Sequence, residues 1–500
     1  MKILLDTNIL IQRENNHVIP ENLAKLMRLL NGLENCSLHV HPLTKQEIMK
    51  DKFDERKNVN LSKSNTYSVL EKVPNYLDDN DFKNSLPEPK SENDIVDNQL
   101  LYCIARNICH YLITQDQGLL NKASSLDIEN VVNINEAINI FKKCYPNVDI
   151  PLGNNFEIKK VFELNYNDKI FDSLKETYKG FDKWWYSIQN RDTYVYFNTD
   201  NIINAILIPK IEHNEIISES PLLKKDKILK ICTFKVAEHA RGLKLGEKLI
   251  NLAIKFAENN DIGEIYLSHY IEENDYLVNL IEQFGFKYVG NKGNNEAIFI
   301  KSIYTNKNIV INSHTEVLNY DKTFYPSFYD GNLVRKHLVP IMPVFHKKLF
   351  PDSQADVHQL ELKLFENSEG NCIKKAYVCR ANTTKINKGD ILLFYQSKNR
   401  MALTTIGTVL GVYPKMSDPE EVFKLIAKRT VFSFEEIKKW CRKELLVILF
   451  NENFHLNREV KLPELSKFNI EGNIYSIREI QDEQYRQIIK GNIDERFTIH

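Results

Sequence analysis

Residues 226–260, DKILKICTFKVAEHARGLKLGEKLINLAIKFAENN, pass from a strand through a tight turn into a helix, and that passage decides the fold of the middle of the chain. DKILKICTFKV is rich in β-branched and apolar residues and reads as a strand. Beyond it, Leu245, Leu249, Leu252, Ala253 and Phe256 recur at helical spacing and would pack on a sheet. The turn Arg241-Gly242-Leu243-Lys244-Leu245-Gly246 would aim free backbone N–H groups at an anion. Gly242 lets the backbone come close, and Arg241 and Lys244 add positive charge. A pyrophosphate-bearing cofactor suits such a turn. Phe234 and Val236, at the end of the strand, complete the candidate cofactor-binding set. EIYLS, DYLVNLIEQFGF and AIFIKSI then extend an α/β unit over residues 155–303.

This order resembles the GNAT acetyltransferases, whose glycine-rich loop holds the pyrophosphate of acetyl-CoA. The resemblance implies acetyl-CoA as cofactor and an amine of unknown identity as acceptor. Two departures stand out. Lys244 replaces the first loop glycine, and Ile281, four residues before Gly285, stands where many members carry a tyrosine acting as general acid. Tyr270 and Tyr276 are nearby candidates for that role, though each reads first as an ordinary packing or surface tyrosine.

Upstream, residues 1–148 alternate short apolar strands (Ile3–Leu5, Leu38–His41, Tyr111–Thr114, Val131–Asn133) with helical patterns, which predicts a largely parallel α/β sheet. PNYLDDNDFKNSLPEPKSEN, residues 74–93, reads as a loop. Asp6 directly follows the strand KILL and Asp116 follows YLIT, so both sit at carboxyl ends of strands, where functional groups gather. Glu47 lies in a helical pattern, and Asp94 and Asp97 share one face of NDIVDNQLLYCIARN. Carboxylates converging on one sheet edge would repel unless a divalent cation joined them, and oxygen-only ligation suits Mg²⁺ or Mn²⁺. Read singly, each acid is as well explained as a helix cap or turn residue.

The arrangement resembles the PIN-domain nucleases through LLDTNILI, Glu47 in LTKQEIMK, Asp97 in VDNQLLYCIA and Asp116 in LITQDQGL. The resemblance implies that Asp6, Glu47, Asp97 and Asp116 are metal-binding and catalytic acids, with Thr114 as the accompanying hydroxyl and Asp94 a secondary ligand.

From residue 308 to 500 the chain is richer in strands and aromatics. KKAYVCRANTTKINKGDILLFYQSKNRMALTTIGTVLGVY reads as three strands, with the turn Asn387-Lys388-Gly389-Asp390 opening the apolar ILLFY. It is similar to ASCH and related PUA-like domains, which implies a small β-barrel with helices and an RNA partner. Arg380, Lys388 and Gln396 flank the candidate groove. FYPSFYDGNLVRKHLVPIMPVFHKKLF interleaves aromatics with Arg335, Lys336, His337, His346, Lys347 and Lys348, a texture shared by single-stranded RNA binders and by a core with a solvated face.

Composition agrees with an α/β multidomain protein. Five hundred residues exceed one core, and 43% apolar with 27% charged residues is ordinary for globular chains. No run of about 18 apolar residues points to a membrane span. The start carries Asp6 and lacks a small-residue cleavage site, so it reads as a strand and not a signal peptide. Eight scattered cysteines without a CxxC pair exclude a zinc ribbon and fit a reducing cytoplasm. A net charge of −1 leaves nucleic-acid binding to local patches.

Together these readings predict an RNA-directed composite enzyme, endoribonuclease and N-acetyltransferase, acting on tRNA or single-stranded RNA; both resemblances extend to families that include toxins and defence proteins. The alternatives are a protein or small-molecule acetyltransferase whose flanking modules only bind partners, and a non-catalytic RNA-binding scaffold.

Overall fold

The computed structural model describes residues 1–14, 21–31, 36–49, 67–71, 73–144, 156–197, 202–237, 240, 245–272, 275–293, 295–305, 309–350, 373–381, 383, 385–426, 429, 432 and 434–500. None of the described helices is long and apolar enough to cross a membrane.

The first domain is a five-stranded sheet in the order β3-β2-β1-β4-β5: β1 (Lys2–Leu5), β2 (Ser37–Val40), β3 (Ser68–Val69), β4 (Tyr111–Ile113) and β5 (Val131–Val132). All four ladders are parallel. Parallel sheets are buried on both faces, and β1 shows why KILL is apolar throughout. Ile3 and Leu5 enter one core and Leu4 the other. The helices are α1 (Thr7–Glu14), α2 (Glu21–Asn31), α3 (Pro42–Met49), α4 (Glu92–Ala105), α5 (Gln117–Ser125) and α6 (Ile134–Phe141). The expected loop at 74–93 holds a 3₁₀ turn at Tyr76–Asp78 and a one-turn helix at Asn80–Asn84. Asn75 and Asp79 cap these turns, and Tyr76 and Phe82 anchor them in the core.

The middle domain is a seven-stranded sheet in the order β11-β12-β10-β9-β8-β7-β6: β6 (Phe156–Lys160), β7 (Asp192–Phe197), β8 (Ile203–Glu219), β9 (Leu222–Val236), β10 (Glu264–His269), β11 (Lys287–Lys292) and β12 (Glu296–Ser302). Its helices are α7 (Asp172–Thr177), α8 (Phe181–Ser187), α9 (Leu245–Asn259) and α10 (Tyr276–Gln283). Every ladder is antiparallel except β9 with β10. Pro209 is tolerated inside β8 because it lies at a register shift. On α9 the expected face is buried: Leu245, Leu249, Leu252 and Ala253 pack in the core, with Phe256 partly buried against it. Each such leucine stabilises the fold by roughly 1.5–3 kcal/mol.

The C-terminal domain is a six-stranded sheet in the order β15-β18-β17-β16-β14-β19. Its strands are β14 (Lys336–Ile341), β15 (Lys374–Cys379), β16 (Ile391–Gln396), β17 (Ala402–Met416), β18 (Leu445–Lys461) and β19 (Arg478–Ile480); β13 (Phe328–Tyr329) pairs separately with β20 (Thr498–Ile499). Four register shifts between β17 and β18 bend and twist the sheet. In β16, Ile391, Leu393 and Tyr395 enter one core while Leu392 and Phe394 enter another, the period-two alternation of a strand covered on both sides. Around the sheet lie α11 (His314–Phe324), α12 (Pro343–Leu349), α13 (Pro419–Ile426), α14 (Phe434–Trp440), α15 (Leu462–Lys467) and α16 (Asp482–Ile489).

The three domains share cores. Val422, Phe423, Ile426 and Ile437 from α13 and α14 pack with Ile3, Leu5, Tyr111 and Ile113 of the first sheet. Ile373, Tyr325 and Phe497 join the core of the middle domain. The first domain also meets the middle one through α5 and α10, where Asn279 donates to Asn121 at 2.8 Å and Gln283 to Ser124 at 2.9 Å.

Candidate active site

β9 and β10 run side by side for three residues, Leu229 to Ile231 against Ile265 to Leu267, and then their pairing stops. Both strands nevertheless continue, β9 to Val236 and β10 to His269. Each keeps its outer neighbour: Phe234 pairs with Leu207 and Val236 with Ala205, while Ser268 pairs with Ile298 and His269 with Ala297. The inner edges therefore open into a cleft with backbone donors and acceptors on both sides, a place where an extended amide-bearing ligand can add like a strand. Phe234 and Val236 lie half-buried on that edge.

The helix that follows begins at the same end. Leu245 and Gly246 open α9 and are buried. A Cβ on Gly246 would stand 2.5 Å from Leu280 Cδ2, so glycine lets α9 lie close against α10. Arg241, Gly242, Leu243 and Lys244 lie outside the described residues.

Ile281 is fully buried among the apolar residues of α9 and the sheet, so its position offers no proton donor. Tyr276 lies half-buried in the first turn of α10. Tyr270 is half-buried, its ring 5.5 Å from that of Tyr178. Burial, together with the charges of Glu296 and Asp275, pushes the Tyr178 phenol well above its usual range. At the end of β10 stands a pair that sequence reasoning missed, His269 Nε2 at 2.6 Å from Asp275 Oδ2. The available signal was positional: a histidine ending an apolar strand, followed six residues later by an aspartate opening a helix.

In the first domain, Asp6 follows β1, Glu47 lies on α3, Asp94 and Asp97 on α4, and Asp116 caps α5 by accepting from Leu119 N–H at 2.9 Å. Thr114 donates to Asp6 at 2.5 Å, Asn8 donates to Asp6 at 2.7 Å, and Thr7 donates to Glu47 at 2.5 Å. Burial pushes Asp6 up to about 6, aided by the charges of Glu47 and Asp116 and opposed by the Thr114 hydrogen bond. Burial likewise lifts Asp97 to about 7, with repulsion from Asp116, Asp6 and Asp94 adding to it and Lys122 opposing. The acids thus feel one another across the carboxyl edge of the sheet.

Asp94 differs from the rest. Its carboxylate accepts from Lys90 N–H and Lys122 Nζ, at 2.9 and 3.3 Å, and these bonds hold it below its usual range. Lys122 Nζ also reaches Asn98 Oδ1 at 3.1 Å, placing a resident cation beside the cluster. Among the described residues no three His, Cys, Asp or Glu side chains are close enough together to hold a metal ion. The all-oxygen donor set suits a hard divalent cation in kind, but the carboxylates would have to draw together around it.

In the C-terminal domain most of the expected cationic and aromatic stripe is core. Lys336, His337 and His346 are fully buried, as are Tyr325, Phe328, Tyr329 and Phe350. Lys336 Nζ is spent on Gly331 O and Asp482, and His337 on Asp390. Arg335, Lys347, Arg380 and Lys388 are exposed, Lys348 is half-buried, and Gln396 is buried at the end of β16. Arg335, Lys336 and Arg478 line a concavity of about 650 Å³ between β14, β19 and α16. Cys36, Cys103, Cys109, Cys232, Cys379 and Cys441 are free thiols.

Residues 158–286 match the model of the acetyltransferase (GNAT) family, and residues 367–491 match that of the EVE domain. No curated protein matches the chain. Among solved structures, a GNAT-family acetyltransferase from Staphylococcus aureus Mu50 is 13% identical, covering 29% of this chain and 98% of that one, with a TM-score of 0.23. The PaiA N-acetyltransferase from Thermoplasma acidophilum in complex with coenzyme A is 15% identical over 29% and 98%, with a TM-score of 0.22. The ASCH protein from Zymomonas mobilis is 9% identical over 31% and 94%, with a TM-score of 0.24. The chain therefore carries a GNAT acetyltransferase domain in its middle and an EVE domain at its carboxyl end, behind a parallel α/β domain that neither match reaches.

Proposed function

We propose that the protein is an acetyl-CoA-dependent N-acetyltransferase whose EVE domain holds nucleic acid, RNA in the first instance, near the transferase. The observation that carries the reading is the parting of β9 from β10 beside the amino end of α9, inside the GNAT domain. Phe234 and Val236 would hold the extended arm of the cofactor through the open strand edge. The N–H groups at Leu245 and Gly246, with the Arg241–Lys244 turn, would face its pyrophosphate. Bound acetyl-CoA supplies an activated thioester. The chain has to exclude water, align a neutral amine with the carbonyl and take up its proton.

Incubation of the full chain with labelled acetyl-CoA and separate pools of tRNA, single-stranded RNA, protein and small amines tests this. Label is expected in one pool, and transfer to none, with no retention of CoA, would contradict the reading. The exposed cations Arg335, Lys347, Arg380 and Lys388 support the RNA assignment, and retention of tRNA or single-stranded RNA on the immobilised protein, lost at high salt, checks it.

A second activity is favoured by a separate observation: burial raises both Asp6 and Asp97, and the charge of Asp116 raises each further. Acids that repel at the carboxyl edge of a parallel sheet fit a PIN-like metal-dependent endoribonuclease, in which Asp6, Glu47, Asp97 and Asp116 would hold Mg²⁺ or Mn²⁺. A metal ion there would stabilise charge on a phosphodiester. Metal-dependent cleavage of RNA that disappears in Asp6→Asn/Asp97→Asn supports this activity, and intact RNA at high concentrations of folded protein reduces the domain to a binding module.

A further inference from the structure

His269 stands where the two parallel strands have separated, and its ring is fixed. Nε2 lies 2.6 Å from Asp275 Oδ2. That carboxylate also accepts from Glu272 N–H at 3.1 Å and, as the cap of α10, from Val278 N–H at 3.0 Å. Burial alone would push Asp275 up, but these hydrogen bonds together outweigh it and hold the carboxyl at about 2. An ionised carboxylate accepts hydrogen bonds only, so in the neutral ring Nε2 carries the proton and Nδ1 presents the lone pair. The His269 side chain is 22% exposed and that of Asp275 is 8%, so the base is reachable while its orienting partner is shielded. The rings of Tyr178 and Tyr270 lie tilted against each other, and the carboxylates of Glu296 and Asp275 impose a negative field on Tyr178. An aromatic wall backed by carboxylates attracts a cation.

We propose that His269 is the general base of acetyl transfer, with Asp275 as its positioning residue, and that the acceptor is an amine carrying a positive charge in solution. The inference rests on the acetyltransferase reading above. In the step, the ammonium gives one proton to His269 Nδ1. The freed lone pair forms the N–C bond to the acetyl carbonyl as the C–S bond breaks. The nitrogen's next proton ends on the departing thiolate, and His269 returns its own to solvent. Only the acetyl group changes partners, and no oxidant or reductant is involved.

Two probes separate this role from a structural one. Spermidine is protonated at neutral pH and needs a base before it can attack, whereas hydroxylamine is already neutral. With full-length protein and acetyl-CoA, His269→Gln should lower acetylation of spermidine on the order of 100-fold and leave that of hydroxylamine within about threefold. Asp275→Asn keeps a capping side chain and should lower the spermidine rate less than His269→Gln does, again sparing hydroxylamine. An unchanged spermidine rate in His269→Gln overturns the base, and equal loss on both probes makes the pair structural. Wild-type protein that acetylates only hydroxylamine overturns the cationic acceptor. Wild-type protein that acetylates neither, labels none of the tRNA, single-stranded RNA and protein pools and retains no CoA overturns the transferase reading itself, a failure distinct from that of the base.

Discussion

Asp6 and Asp97 show how single residues carry information that their neighbours decide. Their carboxyls titrate near 6 and 7 in the folded protein, above the unfolded range near 4. The fold thus favours their protonated forms, so the stability they contribute is complete below about pH 4 and is lost as pH rises through about 6 to 7. Asp97→Asn should then stabilise the metal-free protein by about 1–3 kcal/mol at neutral to alkaline pH, with the advantage vanishing toward about pH 4. Thermal melts of both proteins across pH, in chelator, check this. A divalent cation bound by these acids would stabilise the wild type in the same direction, and Asp97→Asn would be insensitive to it. Their places in the fold were legible in the sequence because Asp6 directly follows a strand and Asp97 lies on a helical pattern. Their separation was not legible, because Lys122 lies 25 residues beyond Asp97 in sequence (122 − 97), yet reaches Asp94 and Asn98 and stands in as a counter-ion.

At the scale of elements, β9, α9 and β10 were readable because their apolar periods differ, two for the strands and 3.6 for the helix. The cleft between β9 and β10 was not readable, since it arises from where a parallel register ends, and no residue type marks that point. His269 and Asp275 escaped for the same reason: the strand that ends in a histidine and the helix that opens on an aspartate become a pair only in the folded chain. The stripe around Lys336 shows the opposite failure. Its cations looked free in sequence, but Lys336, His337 and His346 are buried and find partners far along the chain, Asp482, Asp390 and Thr404. The close packing of α9 on α10 gives a test. Gly246→Val, whose Cβ would meet Leu280, should destabilise the protein by about 1–3 kcal/mol and weaken CoA retention, because Gly246 lies in the first turn of α9, whose N–H groups would face the pyrophosphate. Denaturant melts and CoA binding by the same variant measure both effects.

In the whole molecule, the domains are joined through cores instead of hanging on linkers. Phe423, from the C-terminal domain, is 1% exposed in a core lined by the first β-sheet. Phe423→Ala should cost about 3–5 kcal/mol and lower the melting temperature of the first domain as well as the last, visible as a shift of one common calorimetric transition. Two separate transitions, with only the later one moved, would show the domains to be independent. The α5–α10 contact likewise places the helix capped by Asp116 against the helix capped by Asp275, so the two candidate sites border one helix pair. The central claim is that the middle domain takes acetyl-CoA in the gap between β9 and β10. Calorimetric titration of CoA into the full-length protein tests it most directly. One saturable site per chain, weakened in Gly246→Val, is the predicted result; the absence of any binding by folded protein would contradict the account.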